Sequence, residues 1–346
     1  MVKNCGKVIT VRGPVEPAVL GMVMMHEHLH SDSFDYDRNE LVMEEKPMAP
    51  ERRELLMREA VPFLKQCNDY GCHAFVDTTM PPWRAWPTFY PEASRAANMH
   101  IVLCTGFYRE IEVGTYWART PELSIWPFVR RASVEELAEM CTREILEGIH
   151  GTDVHAGAIK LGTSQPVMTA MEEKTFRAGA RAQKATGVSI TTHCTLFGAE
   201  TSQIKLLEKE GVDLSRVVIG HVAAGMMDPA HRNVYIDWMK RGVNFLPSNL
   251  GIGADGGKVY QPLVDAIHAF FDAGLGSQLT FGLDWAFCSG EGQTPDGRFG
   301  ACTFVPPPPF LHMYTHTLPA FRRMGLTAEE EIWIMEKNPQ RVLPVR

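Results

Sequence analysis

Eight short β-rich runs alternate with helix-period segments along almost the whole chain. The runs fall at 20–25, 72–78, 101–105, 157–161, 188–192, 217–220, 243–246 and 279–283. Amphipathic segments separate them near 51–70, 91–98, 133–149, 171–186, 200–210, 230–241, 260–274 and 312–337. Two of these segments open with capping boxes, Ser133-Val134-Glu135-Glu136 and Thr327-Ala328-Glu329-Glu330. In such a box a hydroxyl and a glutamate satisfy each other's backbone N–H groups at a helix start. Gly187 and Gly242 stand where a helix hands over to the next strand, a position that favours a left-handed residue. Alternating strand and helix implies parallel pairing with right-handed crossovers. Eight units in this length predict an α/β fold, a (β/α)8 TIM barrel. The rival is an open doubly wound sheet, but no G-x-G-x-x-G follows an early strand, which argues against a dinucleotide site. Lys7-Val8-Ile9-Thr10-Val11 and Gly13-Pro14 predict a short N-terminal β-hairpin ahead of the first barrel strand. No linker or short repeat interrupts the pattern, so residues 1–346 read as a single domain.

Composition narrows the function classes. With 346 residues, 45% of them hydrophobic, the chain can bury a large core. A formal charge of −7 without a basic run argues against a nucleic-acid partner. No apolar run approaches the roughly 20 residues needed to span a bilayer, and Met1-Val2-Lys3-Asn4-Cys5 lacks a signal core. The eight cysteines are scattered, with no C-x-x-C pair. A cytoplasmic protein with free thiols and no membrane partner is expected. The 18 methionines read as core filler.

The first barrel run leads into Met25-His26-Glu27-His28-Leu29-His30. On a strand, side chains alternate between faces. His26 and His28 then share one face at the strand end, and Glu27 points away as a structural residue. The same letters satisfy H-E-x-x-H, a helical metalloprotease signature. That motif needs a helix, and Gly21 before it, Ser31-Asp32-Ser33 after it and the missing amphipathic period favour a strand ending in a loop.

A barrel builds its site from the C-terminal ends of its strands. Those ends here carry His26 and His28, Lys160 in Ile159-Lys160-Leu161-Gly162-Thr163, His193 after Thr191-Thr192, His221 after Ile219-Gly220, and Asp284 before Trp285. One histidine at a strand end is an ordinary hydrogen-bonded residue, and one lysine an ordinary ion-pair partner. Five such ends meeting on one face point to a metal site. His30, His73, His100, His150, His155, His231, His268, His312 and His316 fall outside the pattern and read as surface or supporting residues. Two stretches after strand ends break the cadence: 249–257, rich in glycine, and 285–310, with Gly290-Glu291-Gly292, Asp296-Gly297 and the prolines from 306 to 309. With Trp285, Phe287 and Phe299, the second reads as a substrate-covering loop.

This set resembles the phosphotriesterase-like (phosphotriesterase/lactonase) family of the amidohydrolase superfamily. Thr105-Gly106-Phe107-Tyr108 is similar to its T-G-x-Y, and Asn338-Pro339-Gln340-Arg341 to its closing N-P-x-R. Lys160, Thr192-His193 and Gly220-His221 match in order and spacing, so the resemblance spans the chain. It implies a TIM barrel with two divalent metal ions, zinc first, with manganese, cobalt or iron as alternatives. His26, His28 and Asp284 would hold the more buried ion, and His193 and His221 the more exposed one. An N6-carboxylated Lys160 and a hydroxide would bridge them. The chemistry agrees, because an ammonium offers a metal no lone pair, and only a lysine whose charge has been inverted can be a ligand there. Asp284 would take the proton of the hydroxide, and Tyr108 would donate a hydrogen bond to the substrate. Tyr108, Asn249 and Trp285 would contact the substrate. A homodimer is also implied.

The chain departs from the family pattern at two points. Val222-Ala223-Ala224-Gly225 follows the sixth strand with no acid until Asp228, and the seventh run ends Leu246-Pro247-Ser248-Asn249 where G-x-D and a basic residue are common. The reading that results is a metal-dependent hydrolase of a small-molecule lactone or other activated ester, with phosphotriester hydrolysis as a side activity. The alternative is an amidohydrolase cleaving an N-acyl amino acid or related amide, and the third option is a non-catalytic barrel.

Overall fold

The computed structural model describes residues 4–31, 48, 50–80, 86–110, 125–248, 250, 257–288, 300–301, 308 and 310–346. Seven strands line up in chain order as parallel neighbours: β3 (Met22–Ser31), β4 (Cys72–Asp77), β5 (His100–Gly106), β6 (Ala156–Thr163), β7 (Ser189–Cys194), β8 (Val217–Gly220) and β9 (Asn244–Leu246). Helices such as Val134–Leu146, Ala170–Thr186 and Ala199–Lys209 connect them, as the alternation requires. The β3 segment is extended throughout, so His26-Glu27-His28 lies on a strand and not on a helix. Both expected capping boxes form, at Ser133 and Thr327. A third, between Thr169 and Glu172, starts the helix after β6.

The eighth run behaves differently from expectation. Residues 279–283 form no regular ladder; the pairing with β9 is one isolated bridge, Phe245 with Leu279. Backbone bonds nevertheless join the segment to both neighbours. Thr280 N–H donates to Phe245 O on one side, and Met25 N–H donates to Phe281 O on the other. Ladder pairing resumes at β10 (Ala286–Cys288), parallel to β3 with a register shift between Ala286 and Cys288, and β11 (Gly300–Ala301) pairs antiparallel to β10. The staves thus close into the (β/α)8 TIM barrel, and the closure is irregular where the site lies.

Two bulges account for that irregularity. Met24 pairs with Phe75 and Glu27 with Asp77, three residues of β3 against two of β4. On the other side, Met25 N–H bonds Phe281 O and His28 N–H bonds Trp285 O, three residues of β3 against four of the closing stave. An extra residue on one strand reverses which side chains face inward. Val23 and Met25 accordingly join the barrel interior, while Met24 and Leu29 pack in the outer layer against helices. His26 and His28 then take the inward face above Met25.

The interior is filled from below by apolar side chains, Val23, Met25, Ala74, Val76, Val102, Cys104, Ala158, Val218 and Leu246, with Val8, Leu20, Val342 and Leu343 as the plug. The expected hairpin is present as β1 (Val8–Thr10) and β2 (Gly13–Val15) and lies at this lower end. The chain end is stitched there too: Val345 N–H donates to Lys7 O, and the buried Arg216 guanidinium bonds the carbonyls of Arg341 and Pro344. The long segment expected at 312–337 is broken, because the chain turns at Gly325 (φ 106°) between Leu318–Arg323 and Ala328–Ile332. Among the described residues no helix is long and apolar enough to cross a membrane.

Candidate metal centre

Above the apolar plug the interior turns polar. His26, His28 and Lys160 are 1–4% exposed and His193 is 9% exposed. The structure brings all six expected ligands together. His28 Nε2 lies 3.1 Å from Asp284 Oδ1 and His26 Nε2 lies 3.5 Å from the same oxygen. Asp284 Oδ2 is 3.6 Å from His221 Nε2. Lys160 Nζ stands 3.0 Å from His26 Nε2. The His193 and His221 rings tilt together with centroids 3.9 Å apart.

These spacings fit a divalent ion. Ligand atoms about 2.0–2.1 Å from a tetrahedral zinc lie roughly 3.3 Å from one another, and the Asp284 contacts to His28 and His26 are 3.1 and 3.5 Å. His26, His28 and Asp284 offer three ligand atoms within 4.8 Å of one another, a group able to hold one metal ion. Protonation agrees. Burial drives the His26 and His193 imidazoles well below their ordinary range and His221 to about 4, leaving lone pairs to offer. Burial works to raise Asp284, but the pull of His221, His28 and His26 outweighs it and holds the carboxyl well below its usual range. Burial also lowers the Lys160 amine to about 8, against the opposing attraction of Asp284.

The local backbone is shaped for these side chains. Asp284 and His221 both adopt left-handed φ values, 60° and 62°, at a cost on the order of 1–2 kcal/mol each for a non-glycine residue. Gly282 lets the closing stave approach β3, since a Cβ there would lie 2.7 Å from His26 N. Supporting carboxylates hold the frame. Asp77 accepts from Leu29 N–H and Thr79 N–H, each at 2.9 Å, and Thr79 Oγ1 bonds His28 Nδ1 at 2.7 Å. Glu27, buried on the opposite face, accepts from Leu283 N–H at 2.7 Å and Trp285 N–H at 2.9 Å. Gln203 Nε2 donates to His193 O at 2.9 Å.

Tyr108 lies over the second histidine pair, its hydroxyl 3.2 Å from His193 Nδ1. Trp285 is 1% exposed and packs against Phe310, ring centroids 5.7 Å apart. Asn249 and most of 285–310 lie outside the described residues. Sequence reasoning passed over Arg109. Its Nη1 stands 3.2 Å from His193 Nε2 and also bonds Thr195 Oγ1, and its guanidinium lies 5.1 Å over the Tyr108 ring. The signal was position alone, directly after Thr105-Gly106-Phe107-Tyr108. Thr79 and Asp77 had no signal beyond following an apolar run.

Comparison with known proteins agrees with this geometry. The phosphotriesterase family pattern matches residues 6–343. A phosphotriesterase homology protein of Mycobacterium tuberculosis is 27% identical over 338 residues, 96% of each chain. An N-acetyltaurine hydrolase of Tetraodon nigroviridis is 30% identical over 247 residues, 64% of this chain and 66% of that one. A solved organophosphate hydrolase engineered from a weak promiscuous lactonase template superposes with a TM-score of 0.76 at 26% identity, covering 97% of this chain and 99% of that one. With its barrel, its converging histidines and this full-length match, the chain is a hydrolase and belongs to the phosphotriesterase family.

Proposed function

We propose that the protein is a binuclear metal-dependent hydrolase of a lactone or other activated ester, with phosphotriester hydrolysis as a side activity. The observation that carries this reading is Asp284, which turns one oxygen to His26 and His28 and the other to His221. In this reading His26, His28 and Asp284 hold one ion, His193 and His221 hold the other, and carboxylated Lys160 joins them. Zinc is the first candidate, and manganese, cobalt or iron suit the same nitrogen and oxygen donors. Bound there, two dications make hydroxide available near neutral pH and polarise the substrate's C=O or P=O.

The chain's own groups supply the rest. A Lys160 amine poised at about 8 is uncharged in a useful fraction near neutral pH. Its lone pair adds to the carbon of carbon dioxide and the ammonium proton leaves, which gives a carbamate anion. Asp284, kept ionised, would accept the proton of the attacking hydroxide, and its 22% exposed side chain gives that proton a way out. Tyr108 hydrogen-bonds the substrate in this reading. An alkoxide leaving group needs little proton donation, in keeping with the missing acid between His221 and Asp228. The reading includes a cytoplasmic homodimer.

A second reading has one observation of its own. Arg109 places a permanent positive charge beside His193, and guanidinium suits the carboxylate or sulfonate of an N-acyl amino acid or related amide. The similarity to an N-acetyltaurine hydrolase supports it. A hydrolysis panel on zinc- or cobalt-reconstituted protein separates the two. It holds γ- and δ-lactones, an aryl phosphotriester and N-acyl amino acids, each with and without a chelator. Chelator-sensitive turnover led by one lactone series is the expected result. Preference for the anionic amide, with KM raised by Arg109→Gln, would replace the first reading by the second. Chelator-insensitive turnover would overturn both.

A further inference from the structure

Glu27 is a carboxylate with neither solvent nor ligand face available to it. It is 0% exposed and shares the outer face of β3 with Met24 and Leu29, away from His26 and His28. Burying a carboxylate among apolar neighbours is unfavourable unless its oxygens are fully hydrogen-bonded. Its two oxygens are committed to two amides, Leu283 N–H and Trp285 N–H. The residue between those amides is Asp284, in the left-handed conformation, at the centre of the bulge in the closing stave. A bulge takes amides out of the regular ladder, and here each carboxyl oxygen accepts one of them, working against the burial that pushes Glu27 well above its ordinary range.

We propose that Glu27 is a positioning residue that splints the bulge and thereby sets the direction of both Asp284 oxygens. The inference rests on the reading of Asp284 as a metal ligand. The geometry is specific to this role. Leu283 and Trp285 are fixed from β3, the strand that carries His26 and His28, so one side chain locks the third ligand to the same frame as the first two. Backbone bonds on either side, Asp284 N–H to His26 O at 2.8 Å and His28 N–H to Trp285 O at 2.7 Å, complete the clamp. Glutamine cannot replace it, because its amide nitrogen would meet one of the N–H groups donor to donor.

Two measurements test this on the full-length Glu27→Gln protein. In the metal-free form, hydrogen exchange over residues 279–288 reads the splint itself. Exchange there should accelerate at least ~10-fold while the other strands stay protected. In the cobalt-loaded form, the visible ligand-field bands read the geometry of the centre, and cobalt affinity should fall roughly 10–100-fold with altered bands. Glu27→Asp, too short to reach both amides, should show an intermediate effect on both. Unchanged exchange over 279–288, or unchanged bands at native cobalt affinity, would overturn the proposal. So would failure of both variants to fold, which would assign Glu27 to global stability. Wild-type protein that takes up no cobalt would instead overturn the metal reading, and the exchange experiment would still decide the splint.

Discussion

The two halves of the centre are built to different standards. Around His26, His28 and Asp284 the ligand atoms already converge at 3.1–3.5 Å; Thr79, itself held by Asp77, bonds His28 from behind, and Glu27 holds the amides on either side of Asp284. Around His193 and His221 the arrangement is looser. His193 Nε2 faces Arg109 and its Nδ1 faces Tyr108, rather than pointing at Asp284. The first half is pre-organised by hydrogen bonds from neighbouring strands. On the proposed reading, the second would give up the Arg109 contact with His193 before a metal ion could take its place. Pre-organisation lowers the ordering cost of binding, so the halves should differ in affinity.

The largest test of that contrast removes the group that joins the halves. Lys160→Ala should abolish turnover and uncouple the second ion from the first, seen as loss of half the bound metal by elemental analysis. Full turnover at unchanged metal content would show that the halves do not depend on Lys160. Asp284→Asn comes next, with kcat reduced on the order of 10²–10⁴-fold, as expected for loss of a general base. A native rate would exclude Asp284 from proton transfer. A smaller effect sharpens the comparison directly. Graded chelation should strip the His193–His221 half first, with the two dissociation constants at least ~10-fold apart, and Arg109→Met should narrow that gap. Simultaneous loss of both ions would erase the distinction.

The smallest effect is in pH. His221 in the folded metal-free protein titrates at about 4, below its ordinary value. Between that value and about 6.5 the unfolded chain binds a proton that the folded chain refuses, so stability falls as pH falls across this window. Asp284, depressed by its imidazole neighbours, adds a loss of the same sign as the pH drops further. The melting temperature of metal-free protein should decline from pH 6.5 to 4, and His221→Asn should reduce that decline, leaving the share that comes from His26 and His193.

The pattern of staves was legible in the sequence, and so was the convergence of His26, His28, Lys160, His193, His221 and Asp284, because each depends on local cues: an apolar run, then one polar residue at its end. What was not legible depends on contacts between distant segments. Residues 279–283 read as a strand like the rest, yet the bulge at Asp284 and its pairing with Glu27 arise only when β3 lies alongside. Glu27 was correctly placed off the metal face, but its two amide partners are 256 and 258 residues away in sequence. Arg109 carried no pattern at all; its place beside His193 comes from the segment after β5 reaching past β6 to the end of β7. The break at Gly325 was masked by helix-forming residues on both sides.

The irregular closing stave also matters while the chain is being made. β3 is made before the closing stave and can pair with β4 first, while its other edge waits for Phe281 and Trp285. Until that stave follows, the edge is an open template for another strand. Closure across so long a loop is slow relative to local pairing. Expression yield in this protein should therefore depend on keeping nascent chains apart more than on the final stability of the barrel.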